Sequence, residues 1–117
     1  YDLPLLVGLD AHRGKDREAA LARGIDLLLR LHAAFPTWTR GISEVDLSRG
    51  DRVVVTRIEG GPQILLDPDR IDRNLGAYLA LQPTIARKVG DVNRVDLRWS
   101  QRISLLPAAD RSATEND

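Results

Sequence analysis

Apolar positions recur along this chain with two different periods, and the switches between them outline its elements. From Arg17 to about Ala34 the spacing is helical: Leu21, Ile25, Leu28, Leu29 and His32 share one stripe, flanked by Leu31 and Phe35. Asp16 is the expected N-cap, with Glu18 in the first turn, where a carboxylate meets the positive end of the helix dipole. Pro36 ends the helix. Gly24 weakens it by about 1 kcal/mol relative to alanine, which predicts a close packing contact at that point. Before this helix, Leu3-Pro-Leu-Leu-Val7 reads as a short strand or turn, and residues 9–16 as a polar loop.

After Pro36 the period drops to two. Ile42–Leu47, Arg52–Ile58 and Gln63–Leu66 read as three short strands joined by turns at Ser48-Arg-Gly-Asp51 and Glu59-Gly-Gly-Pro62, an antiparallel meander. Val53, Val54 and Val55 are stiff β-branched residues suited to a pleated surface. Asp67-Pro68 then supplies an N-cap and a proline at the first helical position. The helix it opens turns Ile71, Leu75, Tyr78 and Leu79 inward. Pro83 is expected to interrupt or restart it, with Ile85 and Val89 on a short second piece that Gly90 stops.

From Val95 to Leu105 the odd positions are Val, Leu, Trp, Gln, Ile and Leu, and the even ones are Asp, Arg, Ser, Arg and Ser. Only Gln101 breaks the alternation, and Ser100-Gln101-Arg102 is a weak turn. The pattern predicts one long strand of about 36 Å, ended by Pro107. The expected fold is therefore α+β: a mostly antiparallel sheet, made of the three-strand meander and the long C-terminal strand, with two main helices on one face.

Composition narrows the function. At 117 residues the chain holds one domain. Seventeen basic residues balance 17 acidic ones, which argues against a nucleic-acid partner. There is no cysteine, so thiol chemistry, cysteine-ligated zinc and disulfides are excluded. The chain opens on Tyr1 and lacks methionine, so a fragment or processed product is expected.

Catalytic motifs are scarce: no glycine-rich nucleotide loop, nucleophile elbow or paired-histidine metal motif occurs. His12 reads as a solvated loop residue, and His32 as a half-buried wall residue or dipole partner. Trp38 reads as a lid on the core. Asp67 and Asp69 are explained by capping rather than by magnesium. Asp96 and Arg98, two apart on one strand face, read either as a surface ion pair or as a polar anchor for a neighbouring element. The last strand contains neither proline nor lysine, the residues that commonly block an exposed edge. It is thus expected to take up an extended peptide, with backbone hydrogen bonds for affinity and Arg98 and Trp99 for selectivity.

Taken in order, Leu3-Pro-Leu-Leu-Val-Gly8, a helix, Ile42-Ser-Glu-Val45, Val53-Val-Val55, Gly60-Gly-Pro-Gln-Ile-Leu-Leu66, a second helix and Val95-Asp-Leu-Arg-Trp99 resemble the extracytoplasmic β-domain of the FtsQ/DivIB family of bitopic bacterial cell-division proteins. The resemblance runs from residue 3 to about 106. It implies a β-domain over residues 1–106, lacking some of the family's first strands, and a disordered tail over 107–117. It also implies a non-enzymatic divisome scaffold without cofactor or metal, lying outside the cytoplasm at the division septum. A cytoplasmic tail, a transmembrane helix and a POTRA domain are expected upstream, that helix being the only link to the membrane. The implied partner is FtsB, paired with FtsL, which in the family lays a short helix and a strand against the final strand and so contributes to control of septal peptidoglycan synthesis. Carried over, the partner surface is Arg98, Trp99, Gln101, Arg102 and Ile103, with Asp96 as a polar anchor; Asp96 and Arg98 match the family's Asp-x-Arg. Trp99 stands where the family most often has tyrosine, and Ser100-Gln101-Arg102 where it often has glycine. A homodimer through the same edge is a further expectation. Two rivals are a small cofactor-free hydrolase or isomerase using Asp96, Arg98 and His32, and a generic soluble adaptor.

Overall fold

The computed structural model describes residues 4–98 and 104–107. They form six strands and three helices in the order β1 (Leu5–Val7), α1 (Gly14–Ala34), α2 (Pro36–Thr39), β2 (Ile42–Asp46), β3 (Val53–Arg57), β4 (Gln63–Leu66), α3 (Ile71–Lys88), β5 (Val92–Leu97) and β6 (Ser104–Pro107). The strands make one sheet in which each lies beside its sequence neighbour, β1 through β6.

The α+β class is as expected, but the sheet is mixed rather than mostly antiparallel. β1 runs parallel to β2 and β4 parallel to β5, while β2–β3, β3–β4 and β5–β6 are antiparallel. The cause is connectivity. A helix between two neighbouring strands carries the chain back to its starting end, so the strands flanking α1 and α3 must run the same way. Both crossovers leave strands of one direction and step the same way across the sheet. With the right-handed crossover that proteins nearly always use, both helices land on the same face.

That face holds the core. Leu27 and Leu31 of α1 and Ile71, Leu75 and Tyr78 of α3 pack on Val45, Val53, Val55, Ile64, Leu66, Val95 and Leu97. A register shift between Ile42 and Glu44 lets both Ile42 and Val45 point inward. The α1 contact differs from expectation. Ala20, Gly24, Leu27 and Leu31 face the sheet, whereas Leu21, Ile25 and Leu29 are exposed. Gly24 explains the choice: a Cβ there would lie 2.6 Å from Leu47 Cδ1, so the helix seats its smallest residues where its backbone comes closest. The helix also starts at Gly14, earlier than the Asp16 cap predicts, and Asp16 lies in its first turn.

At Gly8, φ is +84° and a Cβ would meet the Asp46 carboxylate and stand 2.6 Å from the Ser48 nitrogen. Only glycine lets the chain leave β1 while Leu47 N–H donates to the Val7 carbonyl at 2.8 Å. α3 runs unbroken through Pro83. The proline removes one hydrogen bond to the Leu79 carbonyl, but Ile71, Leu75 and Tyr78 before it and half-buried Ile85 after it hold the helix on the core. Gly90, at φ +86°, ends it. No described helix is long and apolar enough to cross a membrane.

Candidate partner-binding edge

The single long strand over Val95–Leu105 is not what forms. β5 ends at Leu97 and β6 begins at Ser104, and the two pair antiparallel with Val95 opposite Leu105 and Asp96 opposite Ser104. Each of these pairs sums to an even number, so paired residues have the same parity. The odd–even alternation therefore continues in phase across the reversal, and period alone cannot separate such a hairpin from one strand. β5 has β4 on one flank and β6 on the other. Its main-chain groups are committed within the domain, which rules it out as the open edge. That position belongs to β6, with half-buried Leu105 on the core face beside Val95 and exposed Leu106 on the opposite face.

The outer face at the C-terminal end of β5 is a charged network. Val95 and Leu97 are fully buried, so alternation puts Asp96 on the face away from the helices. Arg98 Nε donates to Asp96 Oδ1 at 2.9 Å and Nη2 to Oδ2 at 2.8 Å, a bidentate pair. The Arg98 backbone N–H donates to Asp96 Oδ1 at 3.1 Å. The Arg98 side-chain hydrogen bonds, more than the nearby positive charge of Arg52, hold the Asp96 carboxyl below its ordinary range, against a smaller opposing effect of burial. Asp96 in turn is the main cause raising the Arg98 guanidinium above its ordinary value.

This pair is tied to neighbouring turns. Arg98 Nη1 lies 3.6 Å from Asp51 between β2 and β3. Arg70 Nη1 donates to the Arg98 carbonyl at 3.3 Å and to Asp67 Oδ2 at 2.9 Å. Asp67 also caps the turn leading into α3, accepting from the Asp69 N–H at 2.9 Å. From the helix side, buried Asn74 donates through Nδ2 to the Leu97 carbonyl. The end of β5 is thus gripped from both faces, and the reversal into β6 starts from a fixed point.

Of the six residues expected at the site, the structure brings Asp96 and Arg98 together. Trp99, Gln101, Arg102 and Ile103 lie outside the described residues, as does the expected tail over 108–117; Pro107 is the last residue of β6. The constellation of Asp96, Arg98 and His32 is not gathered. His32 is exposed in the last turn of α1, which packs on the opposite side of the sheet from Asp96. No described residues form a cluster of metal-ligating side chains. Sequence reasoning missed Asn74, whose signal was a polar residue at the i+3 position from Ile71 on an apolar face. It also missed His12, which is half-buried with Nε2 2.7 Å from the Leu47 carbonyl. Trp38 is half-buried under the Arg57 guanidinium, 4.6 Å from the ring centroid, and Arg57 Nη1 donates to the Trp38 carbonyl at 2.5 Å.

Comparison with curated proteins returns no match. Residues 1–98 match the family described as cell division protein FtsQ/DivIB, C-terminal. The match takes in β1 through β5 and stops at Arg98, before β6. In that family the domain serves as a cell-division scaffold outside the cytoplasm. A match over so much of the chain, on a fold with these crossovers and this closing Asp96-Leu-Arg98, establishes that the chain belongs to the FtsQ/DivIB family.

Proposed function

We propose that this domain is a non-enzymatic divisome scaffold that holds FtsB, together with FtsL, by strand addition at the β6 edge. The observation that carries this reading is the position of β6. Among the described residues it is the last strand of the sheet, paired to β5 on one flank and to no strand on the other. A strand in that position offers a row of backbone donors and acceptors to a partner. The segment between β5 and β6 holds Trp99, Gln101, Arg102 and Ile103, and selectivity for the partner is assigned to these residues together with Arg98. Asp96 fixes Arg98 through the bidentate pair, so the guanidinium is held in place before the partner arrives. The expected setting is the septum, where the complex contributes to control of peptidoglycan synthesis.

Successive N–H groups of a strand point to opposite flanks. Of Leu105→Pro and Leu106→Pro, one therefore removes a donor aimed at β5 and the other a donor aimed outward. The outward variant keeps its thermal unfolding transition and loses FtsB capture in a pull-down with purified FtsB–FtsL. Full capture by both folded variants would overturn the reading.

A further inference from the structure

α1 carries two apolar faces, and the domain uses one. Away from the sheet, Leu21, Ile25 and Leu29 are 38%, 46% and 65% exposed. They follow one another every fourth residue and so form a single row. Leu28 lies half-buried beside them, and Ala22 and Ala33 are exposed on the other flank. The outward face of a helix that covers a core is normally polar, and a contiguous exposed row of large apolar residues marks a contact surface.

The charges around the row identify the occupant. In an antiparallel pair of α1 helices centred on Ile25, facing positions sum to 50. Leu21 then meets Leu29 of the second copy and Glu18 meets His32, all on the line through Ile25; Asp26 lies off that line, paired with Arg30 of its own helix at 3.0 Å. Large apolar side chains meet across the axis, and a carboxylate meets an imidazole at each end. In a parallel pair the residues on this line meet their own copies, which sets Glu18 against Glu18. We propose that this face of α1 docks on the same face of a second copy of this chain, as an antiparallel, two-fold symmetric pair with Ile25 on the axis.

The contact spans three to four helical turns, at or below the roughly 1,200 Å² that marks the low end of stable interfaces, so the association is weak and concentration-dependent. It is also separate from the β6 edge. α1 is the crossover between β1 and β2, at the opposite end of the sheet order from β6. One dimer would thus leave both β6 edges clear, and the inference stands whether or not β6 binds a partner.

The absence of cysteine from the chain makes the test direct. A disulfide needs Cα atoms about 4.4–6.8 Å apart, a distance reached at the seam of two packed helices and above all on the symmetry axis. Under mild oxidation Ile25→Cys should form a covalent dimer at least tenfold faster than Arg73→Cys, an exposed position on α3. A mixture of Leu21→Cys and Leu29→Cys chains should cross-link to each other faster than either does to itself. Adding Leu29→Glu to Ile25→Cys should bring its rate down to that of Arg73→Cys. The circular-dichroism melt of Leu29→Glu should stay unchanged, because Leu29 is not part of the core. Equal rates for Ile25→Cys and Arg73→Cys would overturn the proposal. So would a dimer in sedimentation velocity that survives Leu29→Glu, which would point to the sheet edge instead.

Discussion

The two faces of α1 are built from different residues than hydrophobicity alone would select. The face against the sheet is Ala20, Gly24, Leu27 and Leu31. The opposite side carries Leu21, Ile25 and Leu29, which are larger on average and exposed. The inward face is the one that lets the backbone approach the sheet, with Gly24 seated on Leu47. Burial of two leucines at a short distance, with close contact along the small residues, outweighs burial of three residues of the same size at a greater one, because dispersion contacts fall away steeply with separation.

The comparison has consequences that span a range of stabilities. Leu27→Ala removes a fully buried side chain and should lower unfolding free energy by about 2–5 kcal/mol in urea titration. A loss below about 1 kcal/mol would break the assignment of the inner face. Asn74→Ala tests the same layer on α3, where a buried amide meets the Leu97 carbonyl. Leaving that carbonyl without its donor should cost about 1–3 kcal/mol.

Asp96→Asn should cost about 1–3 kcal/mol at neutral pH, because the bidentate pair with Arg98 is largely shielded from solvent, with 15% of the Asp96 side chain exposed. Its pH dependence sharpens the point. The folded-state carboxyl titrates below its ordinary value, so its contribution is present above the unfolded value of about 4 and is lost as the pH falls through the folded one. The gap between the native chain and Asp96→Asn should therefore close on acidification. A gap that widens there would contradict the Arg98 pairing. Leu29→Ala, on the outer face, should stay within about 0.5 kcal/mol of the native chain at concentrations too low for self-association. A loss equal to that of Leu27→Ala would erase the distinction between the faces.

Much of the fold was legible along the chain. The meander appears within a residue or two of its expected ends, and Ile71, Leu75 and Tyr78 turn inward as their spacing predicts. The close contact expected at Gly24 is present. The candidate edge was legible only in part. Asp96 and Arg98 do meet, but the strand carrying them is covered on both flanks, and the open edge falls to β6. A hairpin whose paired positions sum to an even number looks, by alternation, like one continuous strand.

Local pattern by itself settled the two long helices and the three-strand meander, because periods of 3.6 and 2 report which side chains share a face of one element. It also carried the family, through short motifs such as the Leu-Pro opening and Val95-Asp-Leu-Arg98. Tertiary structure decided which apolar face of α1 is buried, that the sheet is mixed, and that the chain folds back after Leu97. Each of these depends on how one element approaches another, through the closeness of two backbones, the direction in which a crossover returns and the flank on which a neighbour pairs. No repeat along a single segment encodes those relations.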